Sequence, residues 1–188
     1  MKRRHRKNVN EPGHAHELTF SCYKRFPFLR ADRTRKWLLD AIAVARQKLE
    51  FDLWAYVLMH DHVHVIIYPQ RPVYDIAVIR RAVKSPVAQR AIKYLEEHAP
   101  QWLPRITRTR GDRVERLFWQ SGGGYDRNIE KCNTLLAMTD FFHCNPVRKG
   151  LVVRARDWGW SSAAWYEGVQ TDAPLTIDPI PQDWLSSR

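Results

Sequence analysis

Two runs of strand-forming residues, 52–58 and 62–68, are separated only by Met59, His60 and Asp61, close enough in sequence to pair as a hairpin. A third run, 14–23, is rich in the same residue types. Between it and the hairpin, Trp37, Leu38, Ala41, Ile42, Ala45 and Leu49 recur on one helical stripe, and Asp32 stands where it can cap that helix. The chain therefore opens as strand, helix, strand, strand.

After Pro69, Ile76, Ile79 and Val83, then Val87, Ala91, Tyr94 and Leu95, continue a helical pattern across Pro86. Ser85 suits an N-cap and proline suits a first helical position, so the spacing predicts two shorter helices or one kinked at Ser85. Residues 105–113 (RITRTRGDR) read as a basic loop, 116–120 as a last strand, and the Ser-Gly-Gly-Gly of 121–124 as a flexible turn. A further helix is expected over 131–144, ending near Asn145 because Pro146 disfavours helical geometry in the residue before it. From Glu167 onward, Pro174, Pro179 and Pro181 fall in a stretch without periodicity, which reads as an extended surface segment. The expected division is a basic tail (1–13), one α+β domain (14–166) and a C-terminal tail (167–188), a size that suits a single core. Strand, helix, strand, strand, helix, strand is the ferredoxin-like order: an antiparallel sheet with helices packed on one face.

Lysine and arginine outnumber aspartate and glutamate by 31 to 20, for a formal charge of +11, which favours a polyanionic partner without specifying any chemistry. Cys22, Cys132 and Cys144 show no CxxC or zinc-type spacing. An odd count without an apolar leader reads as reduced thiols in a cytoplasmic protein. No run approaches the ~18 apolar residues of a transmembrane helix, so no membrane partner is expected.

His62-Val63-His64 opens the third strand. Side chains alternate along a strand, so both imidazoles share one face and Val63 takes the other. Paired imidazoles suit a divalent metal that polarises a phosphate oxygen, although the same pattern also describes a plain polar sheet face. His60 has the same parity and fits both readings.

The stretch YVLMHDHVHVIIYP is similar to the histidine-hydrophobic-histidine signature of HUH endonucleases. With FWQSGGGYDRNI (118–129), DFFHCNPVRKGLV (140–152) and DWGWSSAAWY (157–166) following in order, the chain resembles the REP-associated tyrosine transposases, single-tyrosine HUH proteins, from residue 14 to residue 166. The resemblance implies the HUH fold, a Mg2+ or Mn2+ ion on His62 and His64, and nicking and rejoining of DNA through a 5′-phosphotyrosine. It implies as partner single-stranded or hairpin DNA of the repetitive palindromic type, bound by a monomer or homodimer. The family's nucleophilic tyrosine falls at Phe141, which has no hydroxyl, so cleavage is expected to be deficient. Tyr125 is the nearby substitute in the matched motifs, with edge packing or base stacking as its plainer role. Phe141 itself also reads as a core aromatic on a helix burying Leu135, Met138 and Phe142.

Asn145, four residues after Phe141, matches the position of a polar metal ligand in related HUH enzymes, and equally suits a helix C-cap. Candidate DNA contacts are Arg127 and Asn128 beside Tyr125, Arg148 and Lys149 after the helix, the loop arginines Arg105, Arg108, Arg110 and Arg113, and Trp119 as a base-stacking ring. Each has a plainer reading as a solvated charge or, for Trp119, a core side chain. The basic run Arg3-Arg4-His5-Arg6-Lys7 could follow a DNA backbone. Two other functions are compatible with these residues: a non-catalytic hairpin-binding module, and a metal-dependent nuclease that activates water.

Overall fold

The computed structural model describes residues 9–169 and 175–186; the basic run at residues 3–7 lies outside them. Its centre is a four-stranded antiparallel sheet ordered β2-β3-β1-β6, built from β1 (Ala15–Ser21), β2 (Phe51–Leu58), β3 (His62–Pro69) and β6 (Tyr125–Ile129). The hairpin expected from residues 52–68 is β2 and β3, whose pairing is bulged between Leu53 and Ala55. The order of the four strands is the ferredoxin-like one, with the first strand of the chain between the third and the last.

Helices α1 (Asp32–Leu49) and α2 (Ile76–His98) cover one face. Their expected stripes point inward: Leu38, Ala41, Ile42 and Ala45 from α1 and Ile76, Ile79, Val83, Val87 and Ala91 from α2 are buried against Leu18, Phe20, Val63, Val65 and Ile67. Asp32 is the first helical residue and no side chain caps α1; Asp32 pairs instead with Arg35 at 3.2 Å. Of the two alternatives expected for the second helix, two shorter helices do not form. α2 is one helix with Pro86 inside it, capped by Asp75, whose side chain accepts from the Ala77 N–H at 2.8 Å. Apolar residues buried on both sides of Pro86 hold the helix together although proline removes one of its hydrogen bonds.

Three expectations are corrected in the second half. The last strand of the sheet is β6, not residues 116–120. The basic loop is a short helix α3 (Leu103–Ile106) and a separate two-stranded ribbon, β4 (Thr107–Arg110) with β5 (Arg113–Arg116). Trp119 makes only an isolated bridge to Cys22. The glycines before β6 serve a close approach more than flexibility: at Gly124, φ is +77° and a Cβ would lie 2.2 Å from the Thr19 carbonyl oxygen.

Helix α4 (Cys132–His143) crosses the opposite face of the sheet, where Leu135 and Phe142 pack with Trp54, Ala55, Val57 and Ile66. The chain turns at once into α5 (Asn145–Arg148), so the C-cap of α4 is Cys144, and Asn145 acts on that helix end through its side chain, which donates to the Phe141 carbonyl. The following segment, including η-type turns and α6 (Ala163–Tyr166), runs along the free edge of β2: the Leu58 N–H donates to the Trp160 carbonyl at 2.9 Å and the Ser162 N–H to the Tyr56 carbonyl at 3.0 Å. Over the described residues 175–186 the C-terminal segment, expected at the surface, packs onto the domain. Ile177 enters the core, the Asp178 N–H donates to the Leu53 carbonyl at 2.9 Å, the Leu53 N–H donates to Asp178 Oδ2 at 2.8 Å, and α7 (Gln182–Ser186) sets Trp184 edge-on to Trp54 at 5.0 Å. Both segments satisfy backbone groups that an edge strand would otherwise expose. All three cysteines are free thiols. No helix among the described residues is long and apolar enough to cross a membrane.

Candidate metal and DNA-binding site

The register of the sheet assembles the site. His62 pairs with Ser21 and His64 with Thr19 across β1, and Thr19 pairs in turn with Tyr125 on β6. Paired residues share a face, so Thr19, Tyr125 and both histidines stand on the side crossed by α4. Both imidazoles are buried, with ring centroids 4.9 Å apart and planes 85° to one another.

Each ring is held at Nδ1. Asp61 Oδ1 lies 2.6 Å from His62 Nδ1, and Thr19 Oγ1 lies 2.6 Å from His64 Nδ1. With Nδ1 donating to these oxygens, Nε2 of each ring keeps its lone pair, the arrangement in which outer partners orient metal-binding imidazoles. Burial pushes the His62 imidazole below its usual range, with Arg25 and Lys149 adding to the effect and Asp61 opposing it. Burial likewise brings His64 down to about 3, helped by the charges of His62 and Arg25. Both rings are therefore neutral near pH 7, as metal ligands must be. Among the described residues no cluster of three His, Cys, Asp or Glu side chains forms, so a third protein ligand would be an amide or hydroxyl oxygen. Asn145 Nδ2 donates to the Phe141 carbonyl at 3.0 Å, which leaves its Oδ1 for another partner. Two neutral imidazoles joined by an amide oxygen such as that of Asn145 would make a donor set that fits a divalent ion.

Phe141 is not a core residue. It is 42% exposed, its ring stands edge-on to His64 at 6.3 Å, and the Arg148 guanidinium lies 4.6 Å above it. Phe142, its neighbour, is fully buried and packs on His64 at 4.6 Å. Tyr125, 37% exposed, opens the edge strand β6 on the same face. His60, by contrast, sits in the β2–β3 turn with its ring 5.7 Å from Trp158.

The other candidates divide. Lys149 and Arg148 come to the site, through the charge of Lys149 on His62 and the stacking of Arg148 on Phe141. Arg127 shares the face, in register with Glu17, and lies 3.8 Å from the Met138 sulfur. Asn128 is turned to the chain's own start, donating to the Val9 carbonyl at 2.9 Å, with His14 Nδ1 3.1 Å away. Trp119 is buried and donates from Nε1 to the Lys84 carbonyl at 2.9 Å, so it is a core side chain and offers no stacking surface. On the ribbon, Arg108 bonds Glu115 at 2.6 Å and Ser121 at 2.7 Å, and Arg113 bonds Glu115 at 2.9 Å. Arg105 lies 4.1 Å over the Trp102 ring.

Three side chains of the site were not singled out from the sequence. Thr19 and Asp61 orient the histidines; Asp61 was legible as the neighbour of His62, whereas Thr19 is found only through the register. Glu17 is buried on the same face, burial raises its carboxyl above the usual range against the pull of Arg127, and its Oε2 has no hydrogen-bond partner.

No protein-family model and no curated protein matches the sequence significantly. Among solved structures, a Deinococcus radiodurans protein assigned to the transposases aligns with 73% of this chain and 95% of its own at 16% identity, with a TM-score of 0.46. A REP-associated tyrosine transposase bound to a REP hairpin aligns with 96% of this chain and 94% of its own at 17% identity and a TM-score of 0.67. Over the aligned 96% of its length, this chain has the fold of a REP-associated tyrosine transposase.

Proposed function

We propose that the chain is a transposase-like protein of the HUH class that binds single-stranded or hairpin DNA at the α4 face of its sheet, with Mg2+ or Mn2+ on His62, His64 and Asn145. The observation that carries this reading is the pair of buried, neutral imidazoles, each held at Nδ1, with the ring of residue 141 edge-on beside them. A divalent ion there would supply charge stabilisation for a phosphate oxygen. His62 and His64 orient it, Asp61 and Thr19 fix the tautomers, and Arg148 and Lys149 attract the DNA backbone. The fold shared with a transposase that binds a REP hairpin supports the same partner class.

The nucleophile is the departure. Phe141 occupies the place from which a tyrosine would attack, and a benzyl ring has no oxygen to form a phosphotyrosine. The unaltered chain should therefore bind DNA and not cleave it, which favours the hairpin-binding module as its present activity and strand transfer as the ancestral one.

The test is incubation of labelled single-stranded hairpin DNA with manganese and either the unaltered chain or Phe141→Tyr, followed by a denaturing gel and a native binding assay. Binding by both, with a covalent protein-DNA band only for Phe141→Tyr, is the expected result. An adduct from the unaltered chain would point to Tyr125 as nucleophile, cleavage without an adduct to activated water, and absence of binding by both would overturn the reading.

A further inference from the structure

A second concave site lies on the other side of the sheet, away from α4. It is a cavity of about 420 Å³ between α1, α2 and the segments around Phe28 and Trp102, within the size range of ligand pockets. Its lining includes five aromatic rings, Phe28, Trp37, Tyr94, Trp102 and Phe118, and two arginines, Arg30 and Arg33, and no acidic side chain.

The aromatic rings are arranged as platforms. Phe28 and Phe118 stack at 5.3 Å, Trp102 meets Phe28 edge-on at 5.4 Å, and Trp37 meets Tyr94 at 6.1 Å. Guanidinium groups already cover part of this surface: Arg33 is 3.9 Å over Tyr94, whose ring also stacks on His98 at 4.3 Å, and Arg105 is 4.1 Å over Trp102. Arg30, Arg33 and Arg105 are all exposed at the rim, and Trp37, Tyr94 and Trp102 are only partly covered. Half-buried aromatic rings flanked by arginines, with no carboxylate in the lining, match an unpaired nucleobase with its phosphate: the aromatic wall supplies stacking and the arginines supply charge.

The cavity is also tied to the histidine pair. Its Pro27–Phe28 wall belongs to the segment that follows β1, and that segment is bonded to the β2–β3 turn at both ends: the Cys22 N–H donates to the Asp61 carbonyl at 2.8 Å and the Leu29 N–H to the His60 carbonyl at 2.9 Å. Asp61 in turn holds His62 at 2.6 Å and Arg25 at 2.8 Å. Arg25 and Arg30, both exposed, stand on the segment that joins the histidine site to the cavity.

We propose that this cavity receives an unpaired base of the single-stranded DNA flanking the hairpin, stacked on Trp102 with its phosphate on Arg30 and Arg33. The proposal rests on the DNA-binding reading above and adds to it a site on the opposite face of the sheet.

The test compares three labelled DNAs by fluorescence anisotropy: a blunt hairpin, the hairpin with single-stranded flanks, and the same flanks made abasic. Trp102→Ala removes a platform, while Arg33→Glu alters only an exposed side chain and so keeps the fold. The expected result is that either variant weakens the flanked hairpin by about five- to a hundredfold and leaves the blunt hairpin unchanged, and that with abasic flanks Trp102→Ala makes no difference. Equal loss on blunt and flanked DNA by both variants, or no change on any DNA, as expected if the cavity seats a protein segment, would overturn the cavity proposal while the DNA-binding reading stands. Failure of the unaltered chain to bind any of the three would overturn both.

Discussion

The two faces of the central sheet draw on the same strands, residue by residue, and differ in the side chains they bury. Under α1 and α2, β1 and β3 contribute Leu18, Phe20, Val63, Val65 and Ile67, all in one apolar cluster. Under α4 the interleaved residues include Glu17, His62 and His64, buried but polar, and the half-buried Thr19, beside the apolar Ala15 and Ile66. Burial of the first set stabilises the fold at about 25 cal/mol per Å² of apolar surface. Burial of the second set costs free energy wherever a partner is missing, as at Glu17 Oε2. A strand with period two can separate these demands, because each side chain answers to one face only. The lesson is that an apolar cluster on one side of the sheet allows the other to mix apolar packing with neutral, oriented imidazoles.

The sharpest way to break this comparison is to damage the apolar face alone. Leu38→Ala, at a fully buried position on α1, should cost about 2–5 kcal/mol, read as a lower midpoint in urea unfolding, while DNA binding by the folded fraction is unchanged. The converse is Thr19→Val, which removes the oxygen that holds His64 Nδ1. Manganese affinity, measured by calorimetry, should fall by about 10- to 100-fold with little change in the unfolding midpoint. If the midpoint falls as far as in Leu38→Ala, the two faces are not separable.

Acid should discriminate between them next. His143, at the end of α4, is buried with Nε2 2.9 Å from Ser162 Oγ, and burial brings its imidazole down to about 4 from the ordinary 6.5. The unfolded chain takes up this proton before the folded one does. Stability present above the ordinary value is therefore lost as pH falls through the window down to about 4. The melting temperature should decline across that window, and less steeply in His143→Gln; an unchanged slope would remove His143 as the cause. The smallest effect belongs to the exposed rim of the polar face. Arg148→Ala should lower the slope of log affinity for hairpin DNA against log salt by about one, whereas a change in cleavage chemistry in the Phe141→Tyr background without a change in slope would give Arg148 a role beyond charge.

The elements that were legible in the sequence are those whose signal is local. The β2–β3 hairpin, the inward stripe of α1 and the shared face of His62 and His64 follow from spacing within a dozen residues. The last strand was misplaced because 116–120 and 125–129 are both short, and their claims are settled by which one can lie against β1, with Gly124 passing close over Thr19. Trp119 looked available for stacking because its burial depends on Phe20 and Lys84, which are distant in sequence. The C-terminal segment, poor in periodicity, is ordered by its pairing with β2 and by Trp184 on Trp54.

The sequence by itself determined the alternation that puts two imidazoles on one side of a strand, the absence of a hydroxyl at position 141, and the excess of positive charge. These are properties of residue identity and of a repeat that any strand or helix imposes. Only the tertiary structure decided that Thr19 and Asp61 hold those imidazoles, that Phe141 stands beside them and not in the core, and that five aromatic rings from distant segments enclose a cavity rimmed by arginine. The reason is physical: register, helix placement and chain crossing are set by packing between segments far apart in the chain, and no local spacing records which atoms that packing will bring within hydrogen-bonding or stacking distance.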